Sequence, residues 1–313
     1  MVNKKLKVFI TGATGFVGSN LVRKLVEENY DVHILVRPDS DTFRIKDILD
    51  KIELHVGDLK DKEELEKIIL KINPNGIFHL AVSNISSGIT SSANEVILDN
   101  LLGTVNLIDS AEKINYDFFI NTGSFLEYGV KNSPISESDI SDPPELYSIT
   151  KLAAEQYAKS IAKSNKKPIV TLRLFTPYGP YMQKGRLVYE IISKSIKNNE
   201  ISLTSPTISR DLVYVKDIVS LYIVASQKAK EFSGEIFNAG SGKSTTIGEL
   251  LGLVMKETKS KSKVEWGSHH GADYDSELWQ ADMSKTKKLL SWKPEYTLED
   301  GIKETIKWFE HEK

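Results

Sequence analysis

Thr11-Gly12-Ala13-Thr14-Gly15-Phe16-Val17-Gly18 stands between a short apolar run, Leu6–Ile10, and a stretch in which Leu21, Val22, Leu25 and Val26 recur at helical spacing. Glycines three residues apart, after a predicted strand and opening a predicted helix, describe a tight turn whose backbone can approach a pyrophosphate closely. The helix start then offers N–H groups that no carbonyl of its own accepts, which suits an anion. A structural turn that binds nothing is the alternative, and a lone triplet would not decide between them.

The rest of the chain supplies the context. Runs at Val32–Val36, Glu53–Val56, Gly76–Val82, Phe118–Asn121 and Ile169–Phe175 read as strands buried on both faces. Amphipathic stretches lie between them; Lys62–Ile72 places Leu65, Ile68, Ile69 and Ile72 on one stripe. This alternation predicts an α/β fold built on a doubly wound parallel (Rossmann) sheet. Residues 1–175 read as a dinucleotide-binding domain, to which the chain returns near 210–250. Residues 176–313 read mainly as a smaller mixed α/β substrate-binding lobe. There a helix at Leu187–Lys197, strands at Ile201–Leu203 and Glu235–Asn238, and helices at Ile247–Thr258 and Leu298–Glu310 are expected.

Composition narrows the function classes. The 313 residues include 41 basic and 43 acidic ones, for a net charge of −2. With no basic excess, nucleic acid is not an expected partner. Cysteine is absent, which excludes disulfides, thiolate catalysis and cysteine-bound metals. Apolar runs fall short of the ~20 residues of a membrane span. No signal-peptide pattern precedes the first strand, so a soluble cytoplasmic protein is expected.

The end of the second strand bears on the cofactor. An acid there commonly bonds the ribose 2′-hydroxyl of NAD. Here Arg37 holds that place, in Val36-Arg37-Pro38-Asp39, and its planar fork suits a 2′-phosphate. This favours NADP(H); NAD, with Asp39 on the hydroxyl, is the alternative. Further on, Tyr147 and Lys151 are spaced i, i+4 and so share a helix face. An ammonium beside a phenol stabilises the phenolate, and the pair can move a proton at a carbinol oxygen. Phe118–Asn121 leads into Thr122-Gly123-Ser124 at a strand end, where Ser124 can hydrogen-bond the reacting oxygen.

The chain resembles the extended short-chain dehydrogenase/reductases, the nucleotide-sugar epimerase/dehydratase/reductase group. The likeness spans essentially the whole chain. It rests on the Gly12–Gly18 turn, Gly57-Asp58-Leu59, His79-Leu80-Ala81, Asn100-Leu101-Leu102-Gly103-Thr104, Tyr128-Gly129, Tyr147 with Lys151, Arg210 through Asp217, and Trp292-Lys293-Pro294, all in family order. The resemblance implies a catalytic trio of Ser124, Tyr147 and Lys151. It implies cofactor contacts from Gly12, Thr14, Gly15, Phe16, Val17, Arg37, Asp58, Leu59, Leu80, Ala81, Asn100, Tyr147 and Lys151. Ser83, Ser124, Phe125, Tyr147 and Arg210 would meet the substrate, with Arg210 near the nucleotide phosphates. Asp58 as a turn cap, Asn100 as a bond to a neighbouring strand, and Arg210 and Asp217 as partners of other charges remain open. The likeness also implies a homodimer built on helices that include Val96–Lys113 and Glu145–Ala162.

Family dehydratases carry an acidic pair directly after the catalytic Ser or Thr. Here Phe125 and Leu126 follow Ser124, and neither can transfer a proton, so dehydration is disfavoured. Glu127, one position on, reads as structural. Arg37 tilts the remaining choice toward an NADPH-dependent reductase of a nucleotide-linked 4-keto-6-deoxyhexose, and Phe119–Phe125 is similar to such reductases. An NAD-dependent sugar 4-epimerase is the alternative. A dinucleotide-sensing regulatory protein is the non-enzyme alternative, opposed by the intact trio. Many relatives clamp the substrate diphosphate with a late-loop arginine. The loop Gly267–Asp275 has none, and His269 and His270 are candidates for that role. With Asp273 and Asp275 they also sketch a metal site, but the chemistry requires no metal and none is expected. Gly240-Ser241-Gly242-Lys243-Ser244 fails phosphate-loop spacing because position 237 is Phe237.

Overall fold

A computed structural model of the protein describes residues 5–83, 92–131, 134–268 and 278–311. Its central sheet has seven parallel strands. The first six are β1 (Lys7–Thr11), β2 (Asp31–Val36), β3 (Glu53–Val56), β4 (Gly76–His79), β5 (Phe118–Ser124) and β6 (Ile169–Leu174); the seventh is Ile236–Ala239. Across the sheet the order is Ile236–Ala239, β6, β5, β4, β1, β2, β3. The chain thus winds outward from β1 to β3, then returns to the far side of β1 with β4. The expected Rossmann-type sheet is observed, with its switch point between β1 and β4, where such sheets bind ligands.

The helices flanking this sheet include α1 (Phe16–Glu27), α2 (Lys62–Ile72), α3 (Ala93–Ile97), α4 (Gly103–Ala111) and α5 (Leu146–Ser164). On α2, Leu65, Ile68, Ile69 and Ile72 are buried, as their spacing predicts, and Asp61 caps the helix by accepting from the Glu64 N–H. They join Phe9, Ile77, Leu107, Ile108 and Phe119 in one core. β4 and β6 are buried along their whole length, which explains their continuous apolar runs. β3 differs from expectation. It is the sheet edge, so Leu54 and Val56 stay 42% and 61% exposed. A π turn, Leu98–Leu102, separates α3 from α4 where the sequence reads as one helix.

The turn after β1 needs glycine twice. Gly12 has φ +73°, and a Cβ there would lie 2.4 Å from the Leu80 carbonyl carbon at the end of β4. A Cβ on Gly18 would lie 2.1 Å from the Gly12 oxygen, so α1 can seat against the turn only without it.

The chain divides into two compact units. The first comprises Met1–Glu127, Pro143–Arg173 and Val219–Phe237, and the second Tyr128–Asp142, Leu174–Ile218 and Asn238–Lys313. Among the described residues, the second unit contains three two-stranded sheets: Thr176–Tyr178 with Leu212–Tyr214, Ser209–Arg210 with Thr245–Thr246, and Ile201–Leu203 with Val264–Trp266. Tyr214 packs its ring against those of Tyr178 and Tyr296. Buried Asp217 accepts the N–H groups of Glu295 and Tyr296, which fastens the segment that follows Trp292-Lys293-Pro294.

Gly12→Ala is expected to lower stability by more than about 2 kcal/mol, since a strained φ alone costs ~1–3 and the backbone overlap adds to it. Urea unfolding checks this; an unchanged midpoint would contradict the packing of the turn on Leu80.

Candidate active site

The start of α1 is built for an anion. Gly15 is its N-cap, no side chain caps it, and no acid stands in its first turn. α2, by contrast, is capped by Asp61 and carries Glu63 and Glu64 there. The turn closes on itself through Gly15 N–H to Gly12 O at 3.0 Å. A Cβ on Gly15 would meet only that oxygen, at 3.2 Å, so its other side is open. Gly12, Thr14, Gly15, Phe16 and Val17 thus come together at the switch point, and the uncapped N–H groups fit a pyrophosphate.

At the ends of β2 and β3 lies a set of charges. Arg37 is exposed, with Nη1 3.8 Å from Asp99 and Nε 3.9 Å from Asp39. Lys60 lies 3.3 Å from Asp99 and 3.5 Å from Asp58. Burial draws the Lys60 ammonium down, but Asp99 and Asp58 outweigh it and hold its pKa above the ordinary value. Asp99 thus has a cation on each side. Lys60 escaped sequence reasoning because only the pairing of β3 with β2 brings it near Arg37. Asp58 does cap a turn, accepting from the Lys60 N–H. Leu59 is buried, and its carbonyl accepts from Asn106.

Behind the turn runs a buried polar chain. Thr11 Oγ1 and His79 Nδ1 are 2.7 Å apart, His79 Nε2 and Thr104 Oγ1 are 2.8 Å apart, and the Thr104 hydroxyl donates to Asn100 O. Burial, with the Lys151 charge adding to it, pushes the His79 pKa down to about 3, so the ring is neutral and serves as a linker. Leu80 and Ala81 are held to Thr11 by their N–H groups. Asn100, in the π turn, clamps Ser83: its Oδ1 accepts from the Ser83 N–H, and its Nδ2 donates to Ser83 O and to Thr150 Oγ1 on α5. The amide of Asn100 therefore positions the segment that leaves β4, as the neighbouring-strand reading has it.

Ser124 is the last residue of β5 and is buried. Its N–H donates to Glu127 at 2.6 Å, and its hydroxyl accepts from the Leu126 N–H. Tyr147 and Lys151 lie on the first turns of α5, with Tyr147 half-buried and Lys151 buried. Thr122 on β5 bonds both His79 O and the Tyr222 hydroxyl. The Tyr147 phenol is close enough to raise the Tyr222 pKa, after the larger effect of burial. The trio therefore gathers at the carboxyl ends of β4 and β5.

Beneath it is a buried charge cluster. Arg173 on β6 donates to both oxygens of Glu155 on α5, at 2.6 and 2.8 Å, and stands 3.0 Å from Glu127. Burial lowers the Lys151 pKa, while Glu127 and Glu155 act to keep it charged. Burial and then Glu155 hold the Glu127 carboxyl well above its usual range, against Arg173 and Lys151. Glu127 is thus a positioning residue that ties the Ser124 backbone to the cluster beneath Lys151.

The substrate residues expected farther along lie in the second unit. Arg210 pairs with Thr245 across the Ser209–Arg210 strand and donates to Ser209 O. The N–H groups of the Gly240-Ser241-Gly242 turn are already engaged: Asp211 accepts those of Ser241, Gly242 and Ala281. Tyr128 is buried and donates to Asn238, which explains its place in the family order structurally. His269, His270, Asp273 and Asp275 lie outside the described residues.

A raised Glu127 pKa means that the folded chain keeps a proton which the unfolded chain releases above about 4.5. Its contribution to stability is full below that value and is lost as pH rises through the folded-state pKa. Glu127→Gln keeps the neutral form, so the difference in melting temperature between variant and wild type should shift in the variant's favour from pH 4.5 upward. A pH-independent difference would contradict the protonated state.

Comparison with known proteins agrees with this geometry. The chain matches the profile of the NAD dependent epimerase/dehydratase family over residues 8–240. It is 30% identical over 312 residues to a putative UDP-glucose 4-epimerase of Methanocaldococcus jannaschii, covering 97% of this chain and 98% of the relative. It is 25% identical to a CDP-abequose synthase of Salmonella muenchen, covering 98% and 99%. Among solved structures, a UDP-glucose 4-epimerase of Thermotoga maritima with UDP-glucose superimposes with a TM-score of 0.89 at 25% identity, covering 97% and 99%. Among the described residues no helix is long and apolar enough to cross a membrane. The glycine turn, the Ser–Tyr–Lys trio and these full-length matches together establish that the chain belongs to the NAD dependent epimerase/dehydratase family, whose members here are nucleotide-sugar enzymes of the extended short-chain dehydrogenase/reductase type.

Proposed function

We propose that the protein is an NADPH-dependent reductase of the 4-keto group of a nucleotide-activated 4-keto-6-deoxyhexose. The observation that carries the reading is the pair of cations, Arg37 and Lys60, that flanks Asp99 at the ends of β2 and β3. Two cations there suit a 2′-phosphate better than a 2′-hydroxyl. Phe125 and Leu126, unable to transfer protons, argue against dehydration.

The uncapped start of α1 holds the pyrophosphate, and Arg37 and Lys60 hold the 2′-phosphate. The bound dinucleotide supplies the hydride that reduces the carbonyl carbon. Ser124 and Tyr147 hydrogen-bond the carbonyl oxygen, and Tyr147 gives it a proton. Lys151, with Glu155 beside it opposing the effect of burial, stabilises the phenolate that remains. Arg210 meets the nucleotide phosphates. A homodimer through α3, α4 and α5 is part of the reading; Ile97, Leu98, Leu102 and Ile149 are apolar, more than a third exposed, and lie on or beside these helices.

An NAD-dependent 4-epimerase is the second reading, favoured by the 30%-identical relative of that name. The relative named for synthesis of CDP-abequose fits the first, since the product in its name is a CDP-linked sugar. Loss of absorbance at 340 nm with NADPH, across a panel of nucleotide 4-keto-6-deoxysugars, tests the choice. Stoichiometric loss with one substrate supports the reductase; no loss, with NAD retained through purification, supports the epimerase. Tyr147→Phe should then lower turnover by roughly 10²–10⁴. Arg37→Ala should raise the KM for NADPH by about tenfold or more, from the ~1.5–3 kcal/mol of a charge-assisted hydrogen bond, and leave the KM for NADH nearly unchanged. Equal effects on both cofactors would remove Arg37 from the 2′-phosphate site.

A further inference from the structure

β2 and β3 carry a second group of chemistry-bearing residues. His33 on β2 is the register partner of Glu53 on β3, and His55 is the partner of Leu35. Side chains alternate along a strand, so His33, Glu53 and His55 share one face of the sheet. His33 is buried, His55 half-buried and Glu53 exposed. One donor atom from each lies within 4.8 Å of the other two. His33 Nδ1 is 2.9 Å from His55 Nε2 and 3.4 Å from a Glu53 oxygen.

These separations are those of a coordination sphere. Ligands at about 2.0–2.1 Å from a tetrahedral zinc ion stand roughly 3.3 Å apart, so the two imidazoles need part by only a few tenths of an ångström. The other nitrogen of His33 supports the same conclusion. Nε2 is buried and makes no hydrogen bond, yet it faces Asp31 Oδ1 at 3.3 Å. A metal on Nδ1 places the proton on Nε2, where it can be donated to Asp31. Histidine ligands are commonly oriented by such a carboxylate. A surface cleft of about 500 Å³ is lined in part by Lys5, Tyr30, Asp31, Lys51 and Glu53.

We infer that His33, Glu53 and His55 form a binding site for a divalent transition-metal ion of the zinc type, with water as the fourth ligand. Two imidazoles and one carboxylate suit such an ion; magnesium and calcium prefer all-oxygen sites. The ion would join the edge strand β3 to β2 and so stabilise the sheet. The site is separate from the Ser–Tyr–Lys trio and does not depend on the reaction assigned to it.

Zinc chloride titrated calorimetrically into the chelator-treated full-length protein at pH 7.5 tests the inference. One ion per chain and a melting temperature raised by several degrees are expected, with magnesium giving neither. Glu53→Gln and His55→Gln, both at the surface side of the group, should weaken binding at least tenfold, and Asp31→Asn roughly 10–100-fold. The double variant His269→Ala/His270→Ala should bind as wild type does. No zinc bound by the wild type, binding unchanged in His55→Gln, or binding lost in the double variant would each overturn the site.

Discussion

Arg173 is 2% exposed and carries a charge that the interior tolerates only if it is paired. Its fork takes both oxygens of Glu155, which fixes β6 against α5. Tyr147, Lys151 and Glu155 follow one another at i, i+4 and i+8, so locking Glu155 also locks the rotation of α5 and the face that carries Tyr147 and Lys151. Removing one partner of a buried pair costs ~3–5 kcal/mol, a large share of the stability of a typical domain. The fold is therefore strongly biased toward the one setting of α5 that presents Tyr147 and Lys151. Glu127 extends the same cluster to the end of β5, where it holds the Ser124 N–H.

The fold was legible because its signals are local. The glycine turn, the Asp61 cap and the apolar stripe on α2 lie within a few residues of what they determine, and the expected sheet is there. The trio was legible from spacing and family order. What escaped was whatever depends on strand order. Lys60 joins Arg37, and His33 joins His55, only because β3 pairs with β2. The exposure of Leu54 and Val56 has the same origin, since a four-residue strand such as Glu53–Val56 reads alike at a sheet edge and inside the sheet. Glu127 was legible as structural, but the raised pKa of its carboxyl is not a property of its own sequence neighbourhood. It follows from burial and then from Glu155, which lies 28 residues further along the chain.

The charges at the ends of β2 and β3 behave differently from those around Arg173. Arg37, Lys60, Asp39, Asp58 and Asp99 are partly or largely solvated, and their separations run from 3.3 to 3.9 Å. Ion pairs of this kind are worth at most about 1 kcal/mol each. They can be exchanged for a phosphate at little cost, and a doubly charged phosphate would bind both cations more strongly than Asp99 does. The same exchange around Arg173 would strand buried carboxylates. This contrast suits the exposed set to exchanging partners with an incoming anion and the buried set to holding the Tyr147–Lys151 face in place.

Two glycine-rich turns of similar composition show how far context decides function. Gly12–Gly18 ends β1 at the switch point, and the helix behind it has neither a capping side chain nor an acid in its first turn. Among the described residues no side chain caps its N–H groups there, which leaves them able to accept an anion from outside. Gly240-Ser241-Gly242 ends the seventh strand with N–H groups that are equally well disposed. Asp211, buried beside them, has already accepted two of these and the Ser241 hydroxyl as well. Burial raises the pKa of that carboxyl while these donors pull it down, so the turn acts as the solvation shell of an internal acid. A glycine turn is thus a set of donors, and whether it recruits a ligand depends on whether the fold has left those donors an acceptor.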